Sequence, residues 1–334
     1  MLKQLETRLR IALIARRHRS TAGTLRRLLD QATGPDPDHR NHFLYANLGG
    51  ANNLGTFLHY EDGSTSPFAL SKIQHCSLAQ REHRFMHWSD QTGCNLTARF
   101  YNLQSLDEST SVLCSAFLQQ PVRHDVSAVH DLHARMLSAY SQIATLDSEQ
   151  NLRSQILPDS PIQEVLHHLI TEPDPDHVNA YLKKYFRRCA ADHSWGDGGR
   201  FLRLVTPMVD SWPGIRSHDK GLIHGDFKKQ NILAASPGDY RLIDHQYYTI
   251  GIRTWDLAFF YHKRDRDGFE VALRDFREGV SSHPGPSERL FCMLYLVAAC
   301  IRIKPEHRQA IVERKIDPVI RHLESLERSQ QPLL

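Results

Sequence analysis

The chain predicts an α+β protein: a small β-rich segment followed by a larger, mainly helical one. Three observations carry this. Between Phe43 and Phe117 apolar residues fall in short runs broken by Gly, Asn and Pro, which is a strand pattern. Beyond Pro121 they recur at helical spacing. That helical stretch is interrupted by short apolar runs between Gly221 and Ile243, joined by turn residues.

The elements follow in order. Met1 to Asp30 places Leu2, Leu5, Leu9, Ile11, Leu13, Ile14, Leu25, Leu28 and Leu29 at roughly helical spacing. It also carries Lys3, Arg8, Arg10, Arg16, Arg17, Arg19, Arg26 and Arg27 against Glu6 and Asp30. Residues 1–40 therefore form a basic helical extension, closed by the Pro-rich linker Thr33–Asn41. Two uses are open: helices packed on the segment that follows, or a basic amphipathic element touching an anionic membrane or an acidic glycan. Leu44 to Leu58 reads as strand, glycine-bearing turn, strand, and Phe68–Gln74 as a strand carrying Lys72. Leu78–Ser89 reads as a helix containing Glu82, and Ser111–Leu118 as the last strand of a segment spanning 41–120. In residues 121–334, helices are expected at Val126–Tyr140, Val178–Ala191, Phe201–Asp210, Phe269–Val280, Ser287–Arg302 and His307–Leu326.

Composition narrows the function. Lys and Arg number 41 against 38 Asp and Glu, a net charge of +3, which gives no basis for nucleic-acid binding. The apolar run Leu290–Ile301 is too short to span a bilayer and reads as a buried helix. Cys76, Cys94, Cys114, Cys189, Cys292 and Cys300 are scattered without CxxC spacing, as expected of reduced thiols in a cytoplasmic protein. His130, His133, Glu164, His167 and His168 lie on candidate helices, but no third ligand makes a zinc site of them.

The chemistry concentrates between Leu222 and Gln246. Asp226, Asn231 and Asp244 each flank a short apolar run, and Gly225 permits a sharp bend before Asp226. Three strands joined by tight turns would bring the trio to one rim. A carboxylate that orients a hydroxyl, with an amide oxygen and a second carboxylate for Mg²⁺, suits phosphoryl transfer from ATP.

This stretch resembles the catalytic loop of the protein-kinase-like phosphotransferases of the aminoglycoside phosphotransferase and choline kinase branch. His224-Gly225-Asp226, then Asn231, then Ile243-Asp244 stand in the branch's order, and Gly251–Ala258 resembles its Gly…Asp-Leu-Ala element. The resemblance implies a bilobal kinase-like fold with MgATP in the cleft between lobes. It implies a catalytic Asp226, metal ligands Asn231 and Asp244, and support of the catalytic loop by His224 and Asp256. Upstream it implies nucleotide contacts from Gly49, Gly50, Asn52 and Gly55 in the turn. Lys72 would hold the phosphates with Glu82 as its ion partner, and Ser115 and Phe117 would line the adenine hinge. The acceptor would be a hydroxyl of a small molecule: an amino-alcohol, a sugar or a lipid-linked sugar.

Two positions depart from the branch. His245 stands where an aromatic is usual, and Gln246 where an acid is frequent, which leaves the number of Mg²⁺ ions open. The aromatics Tyr247, Tyr248, Trp255, Phe259, Phe260 and Tyr261 are either core or a wall for a cationic acceptor. Alternatives to the kinase are a catalytically weak nucleotide-binding scaffold and a helical interaction protein without nucleotide.

Overall fold

The computed structural model describes residues 1–31, 41–48, 53–120, 125–146, 164–165, 167–168, 175–192, 202–203, 206, 220–264, 268–280, 288–301 and 308–330. The chain forms two compact units: Met1–Val122 with Leu233–Gln246, and Arg123–Ile232 with Tyr247–Leu334.

The first unit opens with helices α1 (Leu2–Arg17) and α2 (Ala22–Gln31). Strands β1 (Asn41–Ala46), β2 (Gly55–Glu61) and β3 (Ala69–His75) follow, then α3 (Cys76–Gln91), β4 (Phe100–Ser105) and β5 (Thr110–Ala116). The sheet is antiparallel, in the order β1-β2-β3-β5-β4. Its helix-facing side buries Phe57, Ile73, Leu106 and Val112 against Ile11, Ile14, Leu25 and Leu29. The N-terminal helices are thus part of this core. Gly55 packs close under α1: a Cβ there would lie 2.6 Å from Ile14 Cδ1, and that methyl would have to shift.

The hairpin of β7 (Ile232–Ser236) and β8 (Asp239–Leu242) turns at Gly238, whose φ is +80°. Residues 233–246 join the first unit, whereas the sequence division placed all of 121–334 together. The cause is packing. Leu233 and Ile243 lie on Met86, Ala98, Leu113 and Leu118, and Gln119 and Ala234 exchange backbone hydrogen bonds of 3.0 and 2.8 Å.

The second unit contains α4 (Val126–Leu146), α5 (Pro175–Asp192), α6 (Thr254–Arg264), α7 (Phe269–Val280), α8 (Glu288–Cys300) and α9 (Asp317–Gln330). An α-helical turn at Arg308–Ile311 and a wider π turn at Val312–Ile316 precede α9. Strands β6 (Lys220–Ile223) and β9 (Thr249–Ile252) pair antiparallel, so β6 belongs to a different sheet from β7 and β8. Helix α8 is buried from Phe291 to Cys300, and Phe291 stacks on Phe276 with ring centroids 3.9 Å apart. Among the described residues no helix is long and apolar enough to cross a membrane. The helix expected at Phe201–Asp210 lies mostly outside the described residues.

Candidate active site

In the first unit, β3 and α3 present opposite charges to each other. Lys72 Nζ donates to Glu82 Oε1 at 2.7 Å and to Asp244 Oδ1 at 3.0 Å. Gln74, two residues on and therefore on the same face of β3, donates to Glu82 Oε2 at 3.1 Å. Glu82 is 4% exposed, so both its oxygens are satisfied where water is scarce. Burial acts to lower the Lys72 pKa, but the carboxylates of Glu82 and Asp244 outweigh it and raise the ammonium above its ordinary value. Lys72 therefore stays charged.

Asp244 follows β8 with a φ of +65°. That left-handed conformation is tolerable for Asp at a cost of about 1 kcal/mol, which the Lys72 contact offsets. It turns the chain so that His245 is buried and stacks on Phe85, with centroids 4.4 Å apart and rings 21° from parallel. His245 therefore fills an aromatic's place: a flat ring on the helix that also carries Glu82. Gln246 Nε2 donates to Asp244 Oδ2 at 3.4 Å.

The other upstream positions are placed as follows. Gly49, Gly50 and Asn52 lie outside the described residues. Gly55 lies in β2, and its N–H donates to Asn53 Oδ1 at 3.0 Å. Ser115 lies in β5, paired with Leu70 on one side and Phe100 on the other. The amide of Phe117 donates to Phe68 O at 2.9 Å and that of Ala116 to Arg99 O at 2.8 Å. The amides of residues 116 and 117 are therefore both used within the first unit.

The second unit holds Asp226. Strand β6 ends at Ile223, and Gly225, with φ +83°, reverses the chain. Asp256, in the first turn of α6, is fully buried and receives both amides of the bend: His224 N–H to Oδ2 at 2.7 Å and Gly225 N–H to Oδ1 at 3.0 Å. Trp255 Nε1 donates to Gly225 O at 3.2 Å. Burial pushes the Asp256 carboxyl up to about 7, against the two amide bonds that favour its charged form, and nearby Asp226 pushes the same way as burial. His224 is also buried, and its Nδ1 accepts the Asp226 N–H at 3.3 Å.

These contacts fix where Asp226 points. Asn231 Nδ2 donates to Asp226 O at 2.9 Å and to Oδ2 at 3.1 Å. Lys228 Nζ donates to the same Oδ2 at 2.5 Å. Oδ1 has no partner among the described residues and is the oxygen left to accept a hydrogen bond. Asn231 spends its amide N–H groups on Asp226, which leaves its Oδ1 as the acceptor a cation would use. Sequence reasoning missed Lys228. A lysine two residues beyond Asp226 signals only charge, and nothing local shows that it pairs with Asp226 instead of reaching solvent.

Tyr248, Trp255, Phe260 and Tyr261 are fully buried, Phe259 is 2% exposed, and Tyr247 is half-buried. All of these rings except Tyr247 are core and build no wall for a cationic acceptor. Among the described residues no three His, Cys, Asp or Glu side chains gather as a metal site. His130 Nε2 shares a 2.7 Å hydrogen bond with the Tyr261 hydroxyl, and His133 Nε2 donates to Arg253 O at 2.8 Å.

A family model described as the phosphotransferase enzyme family matches residues 49–289. No curated protein matches the chain. Among solved structures it is similar to aminoglycoside-3'-phosphotransferase of type VIII, at 16% identity over 83% of this chain and 97% of that one, with a TM-score of 0.46. It is also similar to spectinomycin phosphotransferase APH(9)-Ia, solved with ADP and spectinomycin, at 12% identity over 86% and 89%, TM-score 0.48. A third is amicoumacin kinase hAmiN, at 12% identity over 90% and 93%, TM-score 0.48. The family model spans well over half of the chain and includes both the Lys72–Glu82–Asp244 cluster and the Asp226 loop: the chain belongs to the phosphotransferase enzyme family.

Proposed function

We propose that the protein uses MgATP to phosphorylate a hydroxyl of a small molecule. The observation that carries this is the state of Asp226: one carboxylate oxygen is anchored by Asn231 and Lys228, and the other is left to accept. Asp226 Oδ1 takes a hydrogen bond from the acceptor hydroxyl and points its oxygen at the γ-phosphorus. The new O–P bond forms as the bridging bond to ADP breaks, and the hydroxyl proton passes to Asp226 and then to solvent.

Asn231 Oδ1 and the Asp244 carboxylate would be the protein's ligands to the metal, hard oxygens that suit Mg²⁺, and the bound ion would supply neutralisation of charge on the phosphates. Lys72 would neutralise phosphate charge, with Glu82 retained as its ion partner. Much of the rate comes from positioning and charge neutralisation rather than covalent catalysis. An amino-alcohol, a sugar or a lipid-linked sugar fits this chemistry. The burial of the aromatics around α6 removes the feature that singled out a quaternary amine.

One observation favours a second reading, a nucleotide-binding scaffold that turns over weakly. Gln246 places a neutral amide, not a carboxylate, beside Asp244. Acceptor-dependent ADP formation across a panel of sugars and amino-alcohols separates the two. Turnover with one class supports the kinase. MgATP binding without turnover on any hydroxyl, including water, supports the scaffold.

A further inference from the structure

Helix α1 has two apolar faces. The inner face, Thr7, Ile11, Ile14 and Ala15, is buried against the rest of the first unit. The outer face carries Leu2, Leu5, Leu9 and Leu13, which are 83%, 55%, 57% and 57% exposed. At about 100° per residue these four leucines fall within an arc of about 80°, opposite the buried face. Core packing uses only the inner face, so it does not account for this row. Single exposed leucines are ordinary, whereas an aligned row on one helix marks an interaction surface.

Charge identifies the occupant. Arg8 borders the row on one side and Arg17, beyond Glu6, on the other, and Arg16 continues it toward the helix end; Lys3 and Arg10 lie nearer the buried face, where the Arg10 guanidinium sits over Tyr45 at 4.8 Å from the ring centroid. All five are exposed, and Glu6 is the helix's one acid. A second copy of the helix would bring the same cations against these and be repelled. A convex row of leucines flanked by long basic side chains fits a planar interface: leucines enter among the lipids, and the cations reach anionic headgroups.

We propose that the outer face of α1 docks the enzyme on an anionic lipid surface. The inner face keeps the helix folded before it binds, so little ordering is lost on contact. This stands apart from the catalytic assignment, since none of these residues belongs to the Asp226 loop or the Lys72 cluster.

The test is sedimentation of the full-length protein with phosphatidylcholine vesicles, with and without phosphatidylserine. Binding is expected only with phosphatidylserine, and it should weaken as salt rises. Arg8→Gln with Arg16→Gln should weaken it about thirtyfold. Leu5→Gln with Leu9→Gln should abolish it, at unchanged Tm because both sites are exposed. No binding to either vesicle, equal binding to both, or binding unaffected by the leucine pair would overturn the proposal. So would a dimer in solution that the leucine pair dissolves, which would assign the row to a second copy.

Discussion

The Lys72 cluster and the Asp226 loop hold their carboxylates in different ways. In the first unit, Asp244 meets Lys72 through a side-chain ion pair across 172 positions of sequence. In the second, Asp226 sits on a bend whose two preceding amides are fixed by the buried carboxylate of Asp256. An ion pair between partly accessible side chains can exchange partners when phosphate arrives. A backbone bend held by a buried acceptor cannot shift without breaking hydrogen bonds away from water. The difference suits the two tasks in the proposed mechanism: the first unit would accept a charged ligand and release it, while the second would keep one oxygen aimed.

The largest effect should come from Asp226→Asn. The amide keeps the shape but loses the base, so kcat should fall about a thousandfold or more while nucleotide affinity, measured by calorimetry, stays near that of the wild type. A variant with near-normal kcat would remove Asp226 from the mechanism.

Asp256→Ala attacks the bend itself. Two buried amides lose their acceptor, and stability should fall by about 4 kcal/mol, read by urea unfolding. Asp256→Asn should lose less, since one amide oxygen still accepts. Equal stability in wild type and alanine variant would mean that the bend is fixed by something else.

Acid should loosen both units through histidines. Burial depresses His59 in the first unit and His133 in the second, each from 6.5 to about 4. A depressed base stabilises the fold above its unfolded pKa. That stability is lost as pH falls from about 6.5 toward 4, because the unfolded chain then binds protons the native chain refuses. The loss should be on the order of 3 kcal/mol for each residue. His59→Gln and His133→Gln should each flatten the Tm-against-pH curve over that interval, and an unchanged slope would contradict the assignment.

The smallest effect should come from Lys72→Met, which should weaken nucleotide binding about tenfold, since one charge–phosphate contact is lost, with the fold retained. The asymmetry with Asp256→Ala is the sharper test. If Lys72→Met instead unfolded the first unit, its cluster would be structural like the bend.

The sequence made some of this legible for physical reasons. Asp226, Asn231 and Asp244 could be read because turn glycines and short apolar runs bracket them closely, and local pattern is what sequence displays. The helix Phe269–Val280 was readable to the residue because a single apolar face alternates with charge along it. Long-range choices were hidden. Nothing local told β6 to pair with β9, or Lys228 to bond Asp226. Helix α1 was ambiguous because its leucines and isoleucines fall on opposite faces, which periodicity alone reads as one apolar helix. Gly55 looked like a loop glycine, yet it lies in β2 close to Ile14, which arrives from a helix far earlier in the chain.

In the proposed mechanism Asp244 carries the metal-bound nucleotide. Thermal unfolding of wild type and Asp244→Ala, each with ATP alone and with MgATP, tests it directly. The wild type should be stabilised by MgATP well beyond ATP alone, by about 2.7 kcal/mol at a hundred times Kd, and the variant should lose that metal-dependent increment. An equal metal-dependent shift in the variant, or no shift in the wild type at saturating MgATP, would contradict it.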